Sequence, residues 1–441
     1  MKLAFIVAGA ADMYCGSCLR DSALATGLRQ LGQDVTVIPT YTPLRLDGEP
    51  TVDDHVYFGG VEVFLADKLA AVRTRRGWLA RLLGAQTILR WLGRTSVRTD
   101  PSKLGHLACS VLRGEEGNQK RLLEELVDFL EHQVRPDLVH LPNSLYAGFA
   151  RLVHARLGVP VCCGLTGEDL FLSQLREPHR SEALALLRER ARDVDAFIAG
   201  SQHCATYMSQ WAGLDAEKIS VVLPGIPLDG FPEEPPGSDR AAPLTVGFFA
   251  RIAPEKGLHY LARAFRELCR SGEFPGLRLK VAGYLGVGET RYAAAVRKVL
   301  AQAGLTSQVE FLGTVDREDK LDFFRSLDVL SVPTDYPEPK GLFVFEAFAA
   351  GVPVVLPDHG AFPEYIEAAG AGLLHKPRDP ADLAAQLAVV LRDSALRREL
   401  GAKGHRAARE RFFVGRMAQE TLRVYENLLG QEQLTSRGCG T

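Results

Sequence analysis

The stretch Pro333-Thr-Asp-Tyr-Pro-Glu338-Pro-Lys-Gly341-Leu-Phe-Val-Phe-Glu346 sets two glutamates eight positions apart across a break in regular structure. The apolar residues before it predict a short strand that ends in proline. The further prolines and the glycine exclude a helix until Leu342, where a good helical run begins. Glu338 therefore lies in a strand-to-helix loop, and Glu346 lies about one turn inside the helix.

A loop of this kind, at the carboxyl end of a strand, is where α/β proteins hold phosphate, because the first amides of the following helix point outward. The same segment carries two carboxylates. An ionised carboxylate accepts hydrogen bonds from vicinal hydroxyl groups and so suits the recognition of a sugar. The segment predicts a site for a ligand with both phosphate and sugar groups.

Length and composition narrow the class of protein. A chain of 441 residues is too long for one core, so two or three domains are expected. The net charge of -2 argues against general nucleic-acid binding. Eight irregularly spaced cysteines favour reduced thiols over a disulfide framework. With no recognisable signal peptide or membrane-spanning run, we expect a cytoplasmic protein.

Short apolar strands alternate with helical patterns on both sides of a Pro/Gly-rich linker at 229–243. This predicts an α/β fold with two doubly wound, Rossmann-like parallel-sheet domains, at 1–228 and 244–413. A central cleft between them is the expected ligand site. A last helix at 414–430 is expected to pack back on the first domain, before a disordered tail at 431–441.

A mostly helical insertion at about 64–134 interrupts the alternation of the first domain. Within it, Arg73–Arg98 contains seven arginines, two tryptophans and no acid. One interpretation is a surface for anionic lipid at the inner face of the membrane, or for a phosphorylated acceptor. The other is an insertion packed on the first domain, with its arginines solvated or paired. Both interpretations stay open.

Two cations follow the first strand of the second domain, in Val246-Gly-Phe-Phe-Ala-Arg251-Ile-Ala-Pro-Glu-Lys256-Gly257. Arg251 and Lys256 stand between a strand end and a helix start, so they can converge on a diphosphate. Each charge-assisted hydrogen bond is worth roughly 1.5–3 kcal/mol. Such bonds strengthen as a leaving diphosphate gains charge, which is electrostatic catalysis.

Four landmarks in order resemble a GT-B glycosyltransferase, and among these the retaining glycosyltransferase family 4 (glycosyltransferase group 1). In chain order they are the segment Val246–Gly257 quoted above, Leu279-Lys-Val-Ala-Gly283, Val309-Glu-Phe-Leu-Gly313, and Glu338–Glu346 followed by Ala349-Ala-Gly-Val-Pro353-Val-Val. The resemblance implies a GT-B fold and a hexosyltransferase. Its donor would be a nucleotide diphosphate sugar (a UDP- or GDP-sugar), its acceptor a hydroxyl group, and it would need no metal and no cofactor.

The resemblance also implies roles for single residues. Arg251, Lys256 and Glu338 would be catalytic, with Glu338 on the donor sugar. Glu346 would bind the ribose hydroxyls. Main-chain groups would complete the donor site. Those of Gly341, Leu342 and Phe343 would contact the distal phosphate or the sugar. Gly16 would contribute from the first strand-to-helix turn, and Gly283 and Val315 would lie near the base.

Three positions depart from the family or leave alternatives. Lys340 replaces the usual aromatic residue, which leaves the donor sugar open. Thr166 stands where the family often has a histidine that supports the reacting carbon. His140, at a strand end, is as consistent with a structural role as with a functional one. The CxxC spacing of Cys15 and Cys18 lacks a second ligand pair, so no metal is expected there.

The sequence leaves the acceptor open among a glycan, a lipid-linked acceptor and a small molecule. One alternative function is glucan elongation of the starch- or glycogen-synthase kind. Another is a non-catalytic nucleotide-sugar-binding protein, which the departure at Thr166 suggests.

Overall fold

A computed structural model describes residues 1–8, 16–40, 104–235 and 243–438, with side chains to residue 430. The basic segment Arg73–Arg98 lies outside these ranges. The chain forms two compact units. The first comprises Met1–Leu223 and Gly415–Thr441, and the second comprises Pro224–Val414. The chain thus enters the second unit shortly before the linker that the sequence predicts.

The described part of the first unit contains a six-stranded sheet in the order β2-β1-β3-β4-β5-β6, with every neighbouring pair parallel. Its strands are β1 (Lys2–Val7), β2 (Asp34–Pro39), β3 (Leu138–Leu141), β4 (Val161–Leu165), β5 (Ala196–Ala199) and β6 (Ile219–Val221). The central strands are buried at almost every position. Because helices cover both faces of such a sheet, its strands are continuously apolar, which is the pattern seen in the sequence.

The helices of this unit are α1 (Gly16–Gln30), α2 (Gly105–Leu112), α3 (Lys120–Phe129), α4 (Ala150–Leu157), α5 (Glu168–Ser173), α6 (His179–Arg190) and α7 (Gln202–Ala212). The first of them ends just before Gly32, which adopts the left-handed conformation, with φ of 80°.

The last helix, α15 (Val414–Gly438), belongs to the first unit from Gly415 onward. Tyr425 on this helix is fully buried, and its hydroxyl lies 2.8 Å from Nδ1 of His140. Its ring also meets Phe5 of β1 edge-on, with 6.4 Å between centroids. The helix extends to Gly438, into the segment that the sequence predicts to be disordered.

The second unit holds a parallel sheet in the order β12-β11-β10-β7-β8-β9. Its strands are β7 (Thr245–Phe249), β8 (Arg278–Ala282), β9 (Val309–Gly313), β10 (Val329–Leu330), β11 (Val354–Pro357) and β12 (Gly372–His375). If β7 is numbered 1, the order read from the β9 edge is 3-2-1-4-5-6, which is the Rossmann order. The switch point lies between β7 and β10, because successive strands are added on one side of β7 up to β9 and on the other side from β10. Ligands bind at that switch point in open α/β sheets. The edge strand β12, which is only partly buried, is not predicted from the sequence.

The remaining helices are α8 (Leu258–Ser271), α9 (Thr290–Gln302), α10 (Arg317–Arg325), α11 (Leu342–Ala349), α12 (Phe362–Ala369), α13 (Pro380–Arg392) and α14 (Ser394–Arg411). The helix α11 begins at the residue that the sequence predicts. Phe345 on this helix stacks on Phe412, with 4.6 Å between ring centroids, and Phe348 lies 6.1 Å from the same ring. This aromatic packing fixes the helix that carries Glu346.

Gly257 brings the turn after β7 against the end of the segment after β10. Its φ is 74°, and a Cβ atom there would lie 1.6 Å from the carbonyl oxygen of Pro333. Only glycine therefore allows the two loops at the switch point to touch. Gly304 has nearly the same φ, 73°, but its Cβ atom would meet no heavy atom within 4 Å.

These two glycines form a matched test of the loop contact. Gly304→Ala has only the left-handed backbone to overcome, so we expect it to cost about 1–2 kcal/mol. Gly257→Ala also meets a carbonyl oxygen, and we expect it to cost at least about 3 kcal/mol. Calorimetric melting of the two variants checks this difference. Equal melting temperatures would show that the two loops are not in contact.

Candidate functional site

The loops that follow β7, β8, β9 and β10 are joined by backbone hydrogen bonds. The amide of Ile252 donates to Tyr284 O at 2.8 Å, and the amide of Gly283 donates to Gly313 O at 2.7 Å. The amide of Asp335 donates to Glu255 O at 2.8 Å. The loops after β7, β8, β9 and β10 therefore meet at the carboxyl edge of one sheet. They carry the site residues that the sequence predicts in this unit, apart from those on α11.

Glu338 is the centre of this loop cluster, and only 4% of it is exposed. Its Oε2 forms an ion pair with Nζ of Lys256 and accepts a hydrogen bond from the Tyr336 hydroxyl at 2.6 Å. The ammonium group of Lys256 also donates to that hydroxyl, at 2.8 Å. The amide of Gly341 donates a longer bond, of 3.4 Å, to Oε1. Lysine, tyrosine and glutamate thus form a closed triangle.

The triangle fixes the charge of each member. Burial alone would raise the pKa of Glu338, but Lys256, the Tyr336 hydroxyl and the charge of Lys340 outweigh it and lower that pKa to about 2. Burial, and then the neighbouring Glu338, raise the pKa of Tyr336 well above its usual value. The carboxylate is therefore ionised, and the phenol stays a hydrogen-bond donor, throughout the neutral pH range.

The backbone of Glu338 is held from the opposite side by the loop before α12. The amide of Ala361 donates to Glu338 O at 2.9 Å. A Cβ atom at Gly360 would lie 2.5 Å from Glu338 N, so the chain passes there without a side chain. The site is rigid because both the side chain and the main chain of Glu338 are bonded.

The predicted pair of cations does not converge as a pair. Lys256 joins Glu338, whereas Arg251 pairs with Glu255 and, at 3.5 Å, with Glu289. The Arg251 side chain is 43% exposed and lies at the rim. Sequence reasoning placed both cations on one diphosphate and did not find the two acids that hold Arg251.

Glu346 has its own cation. Its carboxylate lies 2.9 Å from Nζ of Lys320 on α10, and each side chain is 14% exposed. Sequence reasoning missed Lys320 because it comes from a different helix. It also missed Tyr336, although a hydroxyl-bearing residue two positions before a loop glutamate was a visible signal.

Within the described residues, no side chain caps the amino end of α11. Its cap is Gly341, with φ of 55° and ψ of 51°, and glycine has no side chain with which to cap the first amides. Leu342 is partly exposed, and Phe343 is buried. These amides carry the partial positive charge of a helix start, which favours an anion. Gly283 and Val315 line the neighbouring loops and offer main-chain groups, with Val315 buried.

In the first unit, Gly16 is the first residue of α1, and the preceding turn, with Cys15, lies outside the described residues. Among the described residues of this unit, Asp21 and Glu168 are buried acids, and sequence reasoning singled out neither. Glu168 joins two loops of the sheet. Its carboxylate accepts the amides of Ser144 and Thr166, both at 2.8 Å, and so joins the loops after β3 and β4.

His140 stays neutral. Burial, aided by the nearby charge of Arg20, lowers its pKa to about 3. Its ring stacks on Phe5, with 4.6 Å between centroids. With Tyr425 on its Nδ1, this histidine occupies a packed interior position, which agrees with the structural interpretation.

Two doubly wound parallel sheets define a GT-B architecture. The switch-point loops of the second sheet surround the Lys256-Tyr336-Glu338 triangle. Residues 234–407 match the family Glycosyl transferases group 1, and residues 106–229 match Glycosyltransferase Family 4. A D-inositol 3-phosphate glycosyltransferase from Nocardia farcinica is 31% identical over 76% of this chain and 79% of its own length. A protein of the same name from Streptomyces bingchenggensis is 30% identical over 55% of each chain.

Solved structures agree on the fold. HepE from Anabaena in complex with UDP superposes with a TM-score of 0.66 at 18% identity, over 97% of this chain and all of that one. HepE is also solved with UDP-glucose. Sucrose-phosphate synthase from Thermosynechococcus elongatus gives 0.71 at 18% identity, over 97% and 99% of the two chains.

The chain therefore belongs to the GT-B glycosyltransferases of the group 1 and family 4 type, and the predicted fold class and enzyme class are confirmed. Within the described ranges, no helix combines the length and the apolar character needed to cross a bilayer.

The triangle makes a testable contribution to stability. Glu338→Gln leaves Lys256, whose side chain is only 16% exposed, without a counter-charge, and breaking a buried pair costs up to about 3–5 kcal/mol. Because the folded pKa of Glu338 lies below its ordinary value of 4.5, its stabilisation is complete above about pH 4.5 and is lost as pH falls toward 2.

We therefore expect the melting temperature of Glu338→Gln to lie well below that of the wild type at pH 6, and the gap to shrink at pH 3. Glu310→Gln, whose carboxylate is 56% exposed, is the control and should change stability by less than about 0.5 kcal/mol. A gap of constant size at both pH values would contradict the buried ion pair.

Proposed function

We propose that this enzyme transfers a hexose from a UDP-sugar to a hydroxyl group of a small phosphorylated polyol of the inositol phosphate kind, with retention of anomeric configuration. The observation that carries the proposal is the buried Lys256-Tyr336-Glu338 triangle at the switch point of a Rossmann sheet. Only Pro339, Lys340 and Gly341 separate Glu338 from the amino end of α11. A cation, a carboxylate and free helix amides within one loop cluster suit a ligand that is both diphosphate and sugar.

The diphosphate is bound by Lys256 and by the amides of Leu342 and Phe343, and Arg251 closes over it from the rim. Because Arg251 is partly exposed, it can exchange its acid partners for phosphate at little desolvation cost. Lys256 remains bonded to Glu338, so its charge is held in place before the ligand arrives. This is electrostatic preorganisation.

The sugar lies against Glu338, whose Oε1 is the less strongly bonded oxygen and accepts a sugar hydroxyl. Glu346 accepts the ribose hydroxyls, with Lys320 holding its carboxylate in place. Gly283 and Val315 border the base through main-chain groups. Lys340 adds a cation near the sugar and favours a hexose with a polar or acidic substituent.

Transfer follows a front-face route. The bond between the anomeric carbon and the β-phosphate oxygen breaks, and the acceptor oxygen forms its bond on the same face. The acceptor proton passes to the leaving phosphate oxygen. Lys256, Arg251 and the helix amides stabilise the charge that develops on the diphosphate, which is the task a metal ion performs in other transferases.

Support for the donor base comes from HepE, which is solved with UDP and with UDP-glucose. Support for the acceptor comes from relatives that are named D-inositol 3-phosphate glycosyltransferases. A phosphorylated acceptor also suits the alternative in which basic residues of Arg73–Arg98 contact it.

A matrix of donors and acceptors tests the proposal. Release of nucleoside diphosphate is measured with UDP-, GDP- and ADP-sugars, each with inositol 3-phosphate, inositol, a glucan primer or water. We expect a rate only with UDP-sugars and inositol 3-phosphate, unchanged by added Mg²⁺, and an α-linked product from an α-linked donor by NMR. Elongation of the glucan, or no turnover with any acceptor, would contradict the proposal.

Replacing Lys256 tests whether the diphosphate binds at this site, and replacing an exposed lysine elsewhere controls for the loss of one positive charge. Lys256→Gln removes the cation from the diphosphate, so kcat should fall by about 10²–10³-fold, the usual effect of losing one preorganised donor. Lys298→Gln removes an exposed lysine of α9 in the same unit and should leave kcat unchanged. Circular dichroism at the assay temperature confirms that each variant is folded. A loss of less than threefold in folded Lys256→Gln would place the diphosphate elsewhere.

A further inference from the structure

A cluster of metal-binding side chains lies in the first unit, apart from the groups assigned above. Cys109 on α2 faces His179 and Glu182 on α6, and one ligand atom from each of the three lies within 4.8 Å of the others. Cys109 is buried, while the side chains of His179 and Glu182 are each 35% exposed. The cluster therefore combines one buried ligand with two that are partly exposed to solvent.

The distances are close to those of a coordination shell. Nδ1 of His179 lies 3.3 Å from Oε2 of Glu182, and Sγ of Cys109 lies 3.5 Å from the carbonyl oxygen of His179. Tetrahedral zinc with ligand bonds of about 2.0–2.3 Å needs ligand atoms about 3.4 Å apart. The two α6 ligands already meet this spacing, and the sulfur lies within 4.8 Å of a ligand atom on each of them.

The surroundings are those of a built site. Arg113 pairs with Oε1 of Glu182, the oxygen that does not face His179, so it orients the carboxylate for monodentate binding. A Cβ atom at Gly105 would lie 2.5 Å from Cβ of His179, so α2 and α6 approach closely just beside the cluster. The ring of His106 meets the ring of His179 edge-on, with 6.0 Å between centroids.

We infer that Cys109, His179 and Glu182 form a zinc site that joins α2 to α6, with water in the fourth position. Thiolate, imidazole and carboxylate in a tetrahedral arrangement are the donor set that zinc prefers. The ligands come from two packed helices, and none of them belongs to the proposed donor site.

A reactive cysteine is the competing interpretation, and the environment disfavours it. Burial, followed by the charge of Glu182, raises the pKa of the Cys109 thiol to about 12, which is the opposite of what a nucleophilic or redox-active cysteine needs. A metal ion displaces that proton and forms the thiolate directly.

The test uses the full chain without an affinity tag, stripped of metal and titrated with Co²⁺. We expect one equivalent to bind with the visible bands of tetrahedral cobalt and a near-ultraviolet thiolate-to-cobalt band, and one equivalent of Zn²⁺ to displace it. The thiolate band should vanish in Cys109→Ser. His179→Gln and Glu182→Gln should each lower the Co²⁺ affinity at least tenfold.

Two cysteine variants serve as matched controls. Cys15→Ser tests the CxxC pair, and Cys269→Ser removes a half-buried thiol of the second unit; both should keep the full thiolate band. Loss of the band in either control, or its survival in Cys109→Ser, would overturn the inference, as would the absence of a band at one equivalent. If Cys109→Ser does not fold, the two α6 variants decide, and unchanged affinity in both would likewise overturn it.

Discussion

The buried ion pair between Lys256 and Glu338 is the interaction on which the candidate site depends. Two charges leave water there, and the loss of hydration is offset only because each ion has further partners. Tyr336 bonds both of them, and the amide of Gly341 reaches the second carboxylate oxygen. With its charges already desolvated and oriented, the site needs little reorganisation when a charged ligand binds.

Backbone geometry makes this pair possible. Lys256 follows β7 and Glu338 follows β10, and these strands are neighbours in the sheet although five helices and strands, α8 to α10, separate them along the chain. Their loops meet only because Gly257 lies against Pro333, with no room for a side chain. The switch point of the sheet thus becomes a charged site through sheet order and one glycine. The segments that carry Lys256 and Glu338 are also those in which the sequence most clearly resembles its family.

The sequence predicted those parts of the structure that depend on neighbouring residues. The start of α11 at Leu342 followed from prolines and a glycine, and the parallel sheets followed from apolar runs between helices. The edge strand β12 was missed because it is short and only partly buried. The partners of Arg251 and Glu346 were missed because they come from other loops and helices, and spacing along the chain carries no signal for them.

The sequence predicted most residues of the site but not which of them pair with each other. Glu338 and Lys256 were both named, yet their direct bond was not, because the pairing depends on which strands are adjacent. Tyr336 was treated as a loop residue, although it completes the triangle. The metal cluster was missed for a similar reason, since Cys109 and His179 lie on helices that are far apart in sequence.

The most direct measurement of the central claim is a crystal structure of the enzyme with UDP. The account predicts the β-phosphate within hydrogen-bond distance of Nζ of Lys256 and of the first amides of α11, with the ribose hydroxyls on Glu346. UDP bound with its diphosphate away from Lys256, with the Lys256–Glu338 pair remote from the ligand, would contradict it.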